Sequence, residues 1–172
     1  GSSSVPQNLL EDIRKYGGVG RFTYKGLEGK LKLGLEGGFA SGDQWDNTPQ
    51  GNSHISNANL LGEPDKEYSK LTQFIFNREY KVDMILFRHL MGAVTNAGYV
   101  KPFLSYELTS SIGFKVSNIT SFAMKPVSTP GNERMYGTEF NGDLGYSSGG
   151  FYAGIAYGVL FPFAALSHPA DE

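Results

Sequence analysis

Residues 111 to 124 read SIGFKVSNITSFAM, and their residue types alternate for longer than a strand of an ordinary domain requires. Ile112, Phe114, Val116, Phe122 and Met124 fall on one parity, and Gly113, Lys115, Ser117 and Ser121 on the other. Side chains of a strand point alternately to its two faces, so this stretch has one apolar and one polar face. A typical strand runs about 5–6 residues, whereas crossing a bilayer takes roughly 9–11 tilted residues. The expectation is a membrane-crossing β-strand with Lys115 on its polar side.

The same period returns along the chain. From Gly17, GGVGRFTYKG places Phe22 and Tyr24 on one face and Arg21, Thr23 and Lys25 on the other. After a GLEG turn at 26 to 29, residues 30 to 42 oppose Leu31, Leu33, Leu35 and Phe39 to Lys30, Lys32, Gly34, Glu36 and Gly38, which predicts a hairpin. Residues 99 to 109 set Val100, Leu104, Tyr106 and Leu108 against Lys101, Ser105 and Glu107. Pro102 cannot donate to a ladder, so it is expected near a strand end or at a bulge. A final pair follows. Tyr136, Thr138, Phe140, Leu144 and Tyr146 oppose Gly137, Glu139, Asn141, Asp143 and Gly145; beyond the SSGG turn at 147 to 150, Phe151, Ala153, Ile155, Tyr157, Val159 and Phe161 oppose Tyr152, Gly154, Ala156, Gly158 and Leu160.

Between these runs the period breaks. Residues 43 to 98 are a long insertion. Its first part, to residue 70, is rich in Asn, Asp, Gly, Ser and Pro and reads as a polar loop. Asp43, Asp46 and Asn47 could ligate a Ca²⁺ ion through oxygen, although they lack the full spacing of an EF-hand. Its second part predicts a small hairpin around Asn77 and Arg78, then a helix from about Val82 to Met91. That helix rests on Val82, Ile85, Leu86, His89 and Leu90 at helical spacing, with Gly92 to end it. Residues 125 to 135 form another polar loop, and residues 5 to 16 are expected as a short helical turn or an ordered loop end.

Composition agrees with half-apolar strands. The 172 residues include 23 Gly, 12 Phe and 10 Tyr, yet the hydrophobic fraction is 40% and mean hydropathy is −0.28. No run of 18 apolar residues occurs, which excludes a membrane-spanning helix, while a β-barrel escapes that test because each strand carries half the signal. A net charge of −2 gives no electrostatic case for nucleic acid. Without cysteine there is neither a disulfide framework nor a thiolate metal site. The opening GSSSVP lacks the features of a signal peptide, so the expectation is a removed signal or a piece of a longer chain.

With the helix kept inside the insertion, six long strands remain and their connections alternate strictly between short and long. Short turns on one side with long loops on the other is the arrangement of outer-membrane barrels, the short turns being periplasmic and the long loops extracellular. Tyr24, Tyr106, Tyr146 and Phe151 near the short turns, and Phe39, Phe122, Tyr136, Phe161 and Phe163 near the long loops, would form the two interfacial girdles of such a wall. The polar face then lines a lumen with Arg21, Lys25, Lys30, Lys32, Lys101 and Lys115 against Glu36, Glu107, Glu139 and Asp143. The basic excess predicts a mild preference for anionic solutes; the alternative is cross-strand pairing that fills the interior.

On this pattern residues 17 to 163 resemble Gram-negative outer-membrane β-barrel proteins. The stretch YKVDMILFRHLMGAVTNAGYVKP is similar to a loop segment of large barrels of the alginate-export-like type. The resemblance implies a porin-like or solute-export pore in the cell outer membrane, with a loop constricting it and no cofactor. Six strands cannot close a membrane barrel, which starts at eight, and open edges in lipid leave backbone groups unpaired. The expected partners are therefore the lipid bilayer, further barrel strands from the same longer chain or from other subunits, and small polar solutes. Competing readings are an adhesion or assembly barrel with a plugged lumen and partner-binding loops, an outer-membrane enzyme, and a soluble lipocalin-like barrel. The three histidines, His54, His89 and His168, stand in no recognisable catalytic motif, so no enzyme is expected.

Overall fold

The computed structural model describes residues 12–42 and 70–167. It is all-β. Six strands, β2 (Gly17–Gly26), β3 (Leu31–Ala40), β5 (Ala97–Glu107), β6 (Ile112–Ala123), β7 (Met135–Ser148) and β8 (Phe151–Pro162), form one antiparallel sheet in sequence order. Two short parallel strands, β1 (Asp12–Ile13) and β4 (Lys70–Leu71), pair separately. The six-strand meander is an open sheet whose edges are β2 and β8. Among the described residues no helix is long and apolar enough to cross a membrane.

The alternation seen in the sequence becomes two opposed faces. Phe22, Leu35, Val116, Phe140, Leu144, Ile155 and Tyr157 project from one face and are exposed, Ile155 by 74%. The opposite face carries the charged positions, yet near the long-loop ends it is the buried one: Glu36, Tyr99, Ile119 and Glu139 there are each at most 2% exposed. An ordinary domain would bury the apolar face. On the apolar face Asn118, Thr120 and Thr138 satisfy one another, the Asn118 Nδ2 donating to Thr138 Oγ1 at 2.8 Å and the two threonine hydroxyls lying 3.2 Å apart.

Residues 72–96 cover that buried half. Phe76, Val82, Leu86, Phe87 and Val94 pack with Ala40, Ala97, Tyr99, Ile119, Ala123 and Tyr136 of the sheet into the hydrophobic core. Phe87 meets Tyr99 at 6.0 Å between ring centroids.

Three expectations are corrected here. The helix over Val82–Met91 is a single π-helical turn, Leu86–Leu90, in which the amides of Leu90 and Met91 donate to the carbonyls of Ile85 and Leu86. Its apolar positions do not share a buried face, since Val82, Leu86 and Phe87 are buried and Leu90 is exposed. The expected hairpin around Asn77 and Arg78 is a turn, closed by the Tyr80 amide donating to the Asn77 carbonyl at 2.9 Å, and its flank makes an isolated bridge between Ile75 and Thr95. Pro102 sits inside β5 opposite Leu35, and the ladder to β6 is interrupted at Lys101 and Pro102 without loss of register, so the missing donor is absorbed by a gap.

The bulge lies instead in β7, where Ser121 pairs with Gly137 but Phe122 with Met135. The extra residue, Tyr136, leaves the apolar face and enters the core, 2% exposed, its hydroxyl donating to the Asn96 carbonyl at 3.2 Å. Tyr136 therefore does not belong to the outward aromatic set.

Glycine and aromatic residues face each other across the strands. Gly34 opposes Phe103 and Gly38 opposes Tyr99, and the ring lies over the bare backbone in each case. A Cβ on Gly34 would stand 2.1 Å from the Phe103 ring. Gly34→Val is expected to displace that ring and destabilise the sheet by about 1–3 kcal/mol, the usual range for overpacking. Urea titration of the folded protein would read it, and an unchanged midpoint would contradict the packing described.

Candidate functional site: the polar face and its cover

Nine of the ten charged residues anticipated for this face project from it, in rows set by the strand register, and the tenth, Lys30, lies in the turn before β3. Arg21, Glu36 and Lys101 lie opposite one another on β2, β3 and β5. Nearer the short turns, Lys25 opposes Lys32, Lys32 opposes Ser105, Ser105 opposes Lys115 and Lys115 opposes Asp143. Glu139 on β7 stands opposite Ile119. Lys30 closes the turn Leu27–Gly29, its amide donating to the Leu27 carbonyl at 3.0 Å.

The cover divides these residues into two sets. Lys25, Lys30, Glu107, Lys115 and Asp143 are exposed and Lys32 is half-buried. Here Lys32 Nζ lies 3.3 Å from Glu107 Oε1, and Lys115 Nζ lies 5.4 Å from the centroid of the Phe103 ring. Glu36, Lys101 and Glu139 lie beneath residues 72–96 and are buried.

The buried set is fully engaged. Glu36 Oε2 accepts from Arg21 Nε at 2.6 Å, while its Oε1 accepts from the hydroxyls of Tyr99 at 2.9 Å and Tyr80 at 3.1 Å. Arg21 reaches it from the rim of the cover, its side chain 56% exposed. Lys101 Nζ donates to the Val82 carbonyl. Glu139 accepts from three successive backbone amides of the cover, Met84 at 2.8 Å, Ile85 at 3.0 Å and Leu86 at 2.9 Å.

Asp83 then takes the next two amides, Phe87 at 2.9 Å and Arg88 at 3.1 Å. Two carboxylates thus bind five consecutive amides, residues 84 to 88. An α-helix starting at Val82 would have left amides 84 and 85 without an intrahelical acceptor and paired those of 86 to 88 within the helix; here the sheet supplies the acceptor for 84 to 86. Burial, helped by the nearby Glu139 charge, pushes the Asp83 carboxyl up to about 6, against the pull of its amide donors and Lys101. Among the described residues, the buried side-chain atom left without a partner is Asn141 Oδ1, on β7 two positions after Glu139.

Sequence reasoning missed Tyr80, Asp83 and Tyr99. An Asp at the head of an apolar run is a helix-start signal, and Asp83 carries it. Nothing in the pattern marks Tyr80 or Tyr99 as partners of Glu36, because their meeting depends on the cover folding back across the sheet.

The cation-ligand candidates Asp43, Asp46 and Asn47 lie outside the described residues, as do His54 and His168. Among the described residues no group of three or more His, Cys, Asp or Glu side chains is placed to hold a metal ion. His89 lies on the π-helical turn, exposed. No family model, curated protein or solved structure matches the chain.

Proposed function

We propose that the sheet is part of the wall of an outer-membrane β-barrel, with its apolar face on lipid and its polar face on an aqueous lumen through which small polar or anionic solutes pass. One observation carries this reading: across six strands the apolar face is exposed along its length, while the chain's own insertion covers the long-loop half of the face bearing the charges. A surface of that size left to water would be an association liability, whereas lipid satisfies it. Strand lengths of 10 to 14 residues in the six-strand sheet suit a tilted crossing.

The edges β2 and β8 run in opposite directions, so an even number of further strands, from a longer chain or from other subunits, would close the wall with antiparallel pairing throughout. Solutes would meet the row of exposed Lys25 and Lys115 and half-buried Lys32 at the short-turn end. The cover over the long-loop half favours one second reading, a barrel with a plugged lumen whose outer loops bind a partner.

Planar-bilayer recording on the complete barrel separates the two. Stepwise conductance with anions favoured over cations is expected; a barrel that inserts yet passes no ions would overturn the pore and leave the plug. A monodisperse protein in buffer without detergent would overturn both.

A further inference from the structure

We infer that residues 83 to 88 form a pH-sensitive latch that holds the cover on the wall and grips more tightly in mild acid. The latch itself needs no assumption about solutes; its effect on a lumen rests on the pore reading above.

The geometry sets two carboxylates on one turn. Glu139 reaches it from β7 and binds the amides of residues 84 to 86, while Asp83, just ahead of the turn, binds those of residues 87 and 88. Both are buried, Asp83 being 5% and Glu139 1% exposed. The cation facing them from the wall is Lys101, which donates to the carbonyl of Val82 next to Asp83 and also shares the field of Glu36. Glu36 is itself held by Arg21, Tyr80 and Tyr99. Lys115 adds a more distant positive charge to Lys101 from β6. On the turn, Arg88 and His89 point outward and are exposed.

Two negative charges therefore share a water-excluded site with one facing lysine. A proton on Asp83 relieves their repulsion and its burial cost, and the neutral carboxyl still offers acceptor lone pairs to the amides. The sign follows from linkage. A carboxyl whose value is raised by docking, here to about 6, binds more protons docked than released. Docking is then strengthened as pH falls from about 7 toward about 4 and weakened as it rises. A proposal of acid release would need the opposite sign.

Hydrogen exchange of the full chain in detergent micelles, read on peptides spanning residues 80 to 91, tests this. After correction for intrinsic rates, protection of residues 84 to 88 should be at least about fivefold greater at pH 5 than at pH 7.5, a shift of one pKa unit being worth up to tenfold. Asp83→Asn should flatten that profile, and His89→Gln should leave it unchanged. Glu139→Gln should move the step to lower pH by removing the neighbouring charge.

Protection that is equal at both pH values in the unmodified chain, or greater at pH 7.5, would overturn the latch, as would a step abolished by His89→Gln. Exchange reports the backbone whether or not the barrel conducts, so a silent bilayer recording with this profile intact would overturn the pore and leave the latch standing.

Discussion

Leu35→Arg is expected to cost about 2–4 kcal/mol of folding stability in lipid vesicles, the range for a basic residue on the lipid face of a barrel near the bilayer midplane. Leu35 lies midway along β3 on the apolar face and is half exposed. Its counterpart Thr23→Arg, on β2 and on the polar face, should change stability by less than about 0.5 kcal/mol, as surface substitutions usually do. The comparison is internal, because both substitutions add the same side chain to neighbouring strands of one sheet. Reversible urea unfolding from vesicles measures both. Equal small effects would mean that the face bearing Leu35 meets water or protein instead of lipid.

Glu139→Ala should release the cover. Three amides, that of Leu86 buried and those of Met84 and Ile85 part-buried, would lose their acceptor together, and leaving a buried donor unsatisfied costs roughly 1–3 kcal/mol. The docking of residues 72–96 would be weakened by about 1.5–3 kcal/mol, while the strand ladders that define the sheet are untouched. Trypsin reads this directly, because Arg88 is exposed but its amide is bound to Asp83. When opening and closing are fast, cleavage follows the population of the open form, so the cut after Arg88 should be at least about tenfold faster in the variant. A cut no faster than in the unmodified chain would show that the other contacts, Lys101 to Val82 and Tyr80 to Glu36, hold the segment without Glu139.

How far the sequence could lead is seen in particular residues. Strict alternation at 30 to 42 and 111 to 124 located β3 and β6 to within a few residues and assigned their faces, because period two needs only the neighbouring side chains to be read. The short turns followed from the same runs. Tyr136 was misplaced because a bulge shifts parity by one, and Gly137, at φ 154°, was the local sign that the backbone departs from the regular ladder. Pro102 was misplaced because a strand can tolerate a missing donor where its neighbour is already unpaired.

The site was legible only in part. Parity put Arg21, Lys25, Lys32, Glu36, Lys101, Glu107, Lys115, Glu139 and Asp143 on one face, as the strand register does, while Lys30 falls in the turn; a lumen beside them is the proposal. Parity could not separate the exposed members from Glu36, Lys101 and Glu139, since that depends on where residues 72–96 fold. The helix expected over Val82–Met91 failed for the same reason. A helix starting at Val82 would leave amides 84 and 85 unpaired and bond that of 86 within the helix, but all three donate across to a carboxylate on a strand more than fifty positions away. Long-range hydrogen bonds of this kind leave no period in the sequence.

The central claim is that the apolar face of this sheet meets lipid. The chain has no cysteine, so single cysteines can be placed along β6 from Ile112 to Ala123 and spin-labelled one at a time in bilayers. The account predicts that labels at positions 112, 114, 116 and 122 are reached by oxygen dissolved in the lipid. Labels at 113 and 115 should be reached by a water-soluble nickel complex, and those at 117, 119 and 121, beneath the cover, by neither. Loss of that two-residue alternation, or access of the nickel complex to both parities, would contradict it.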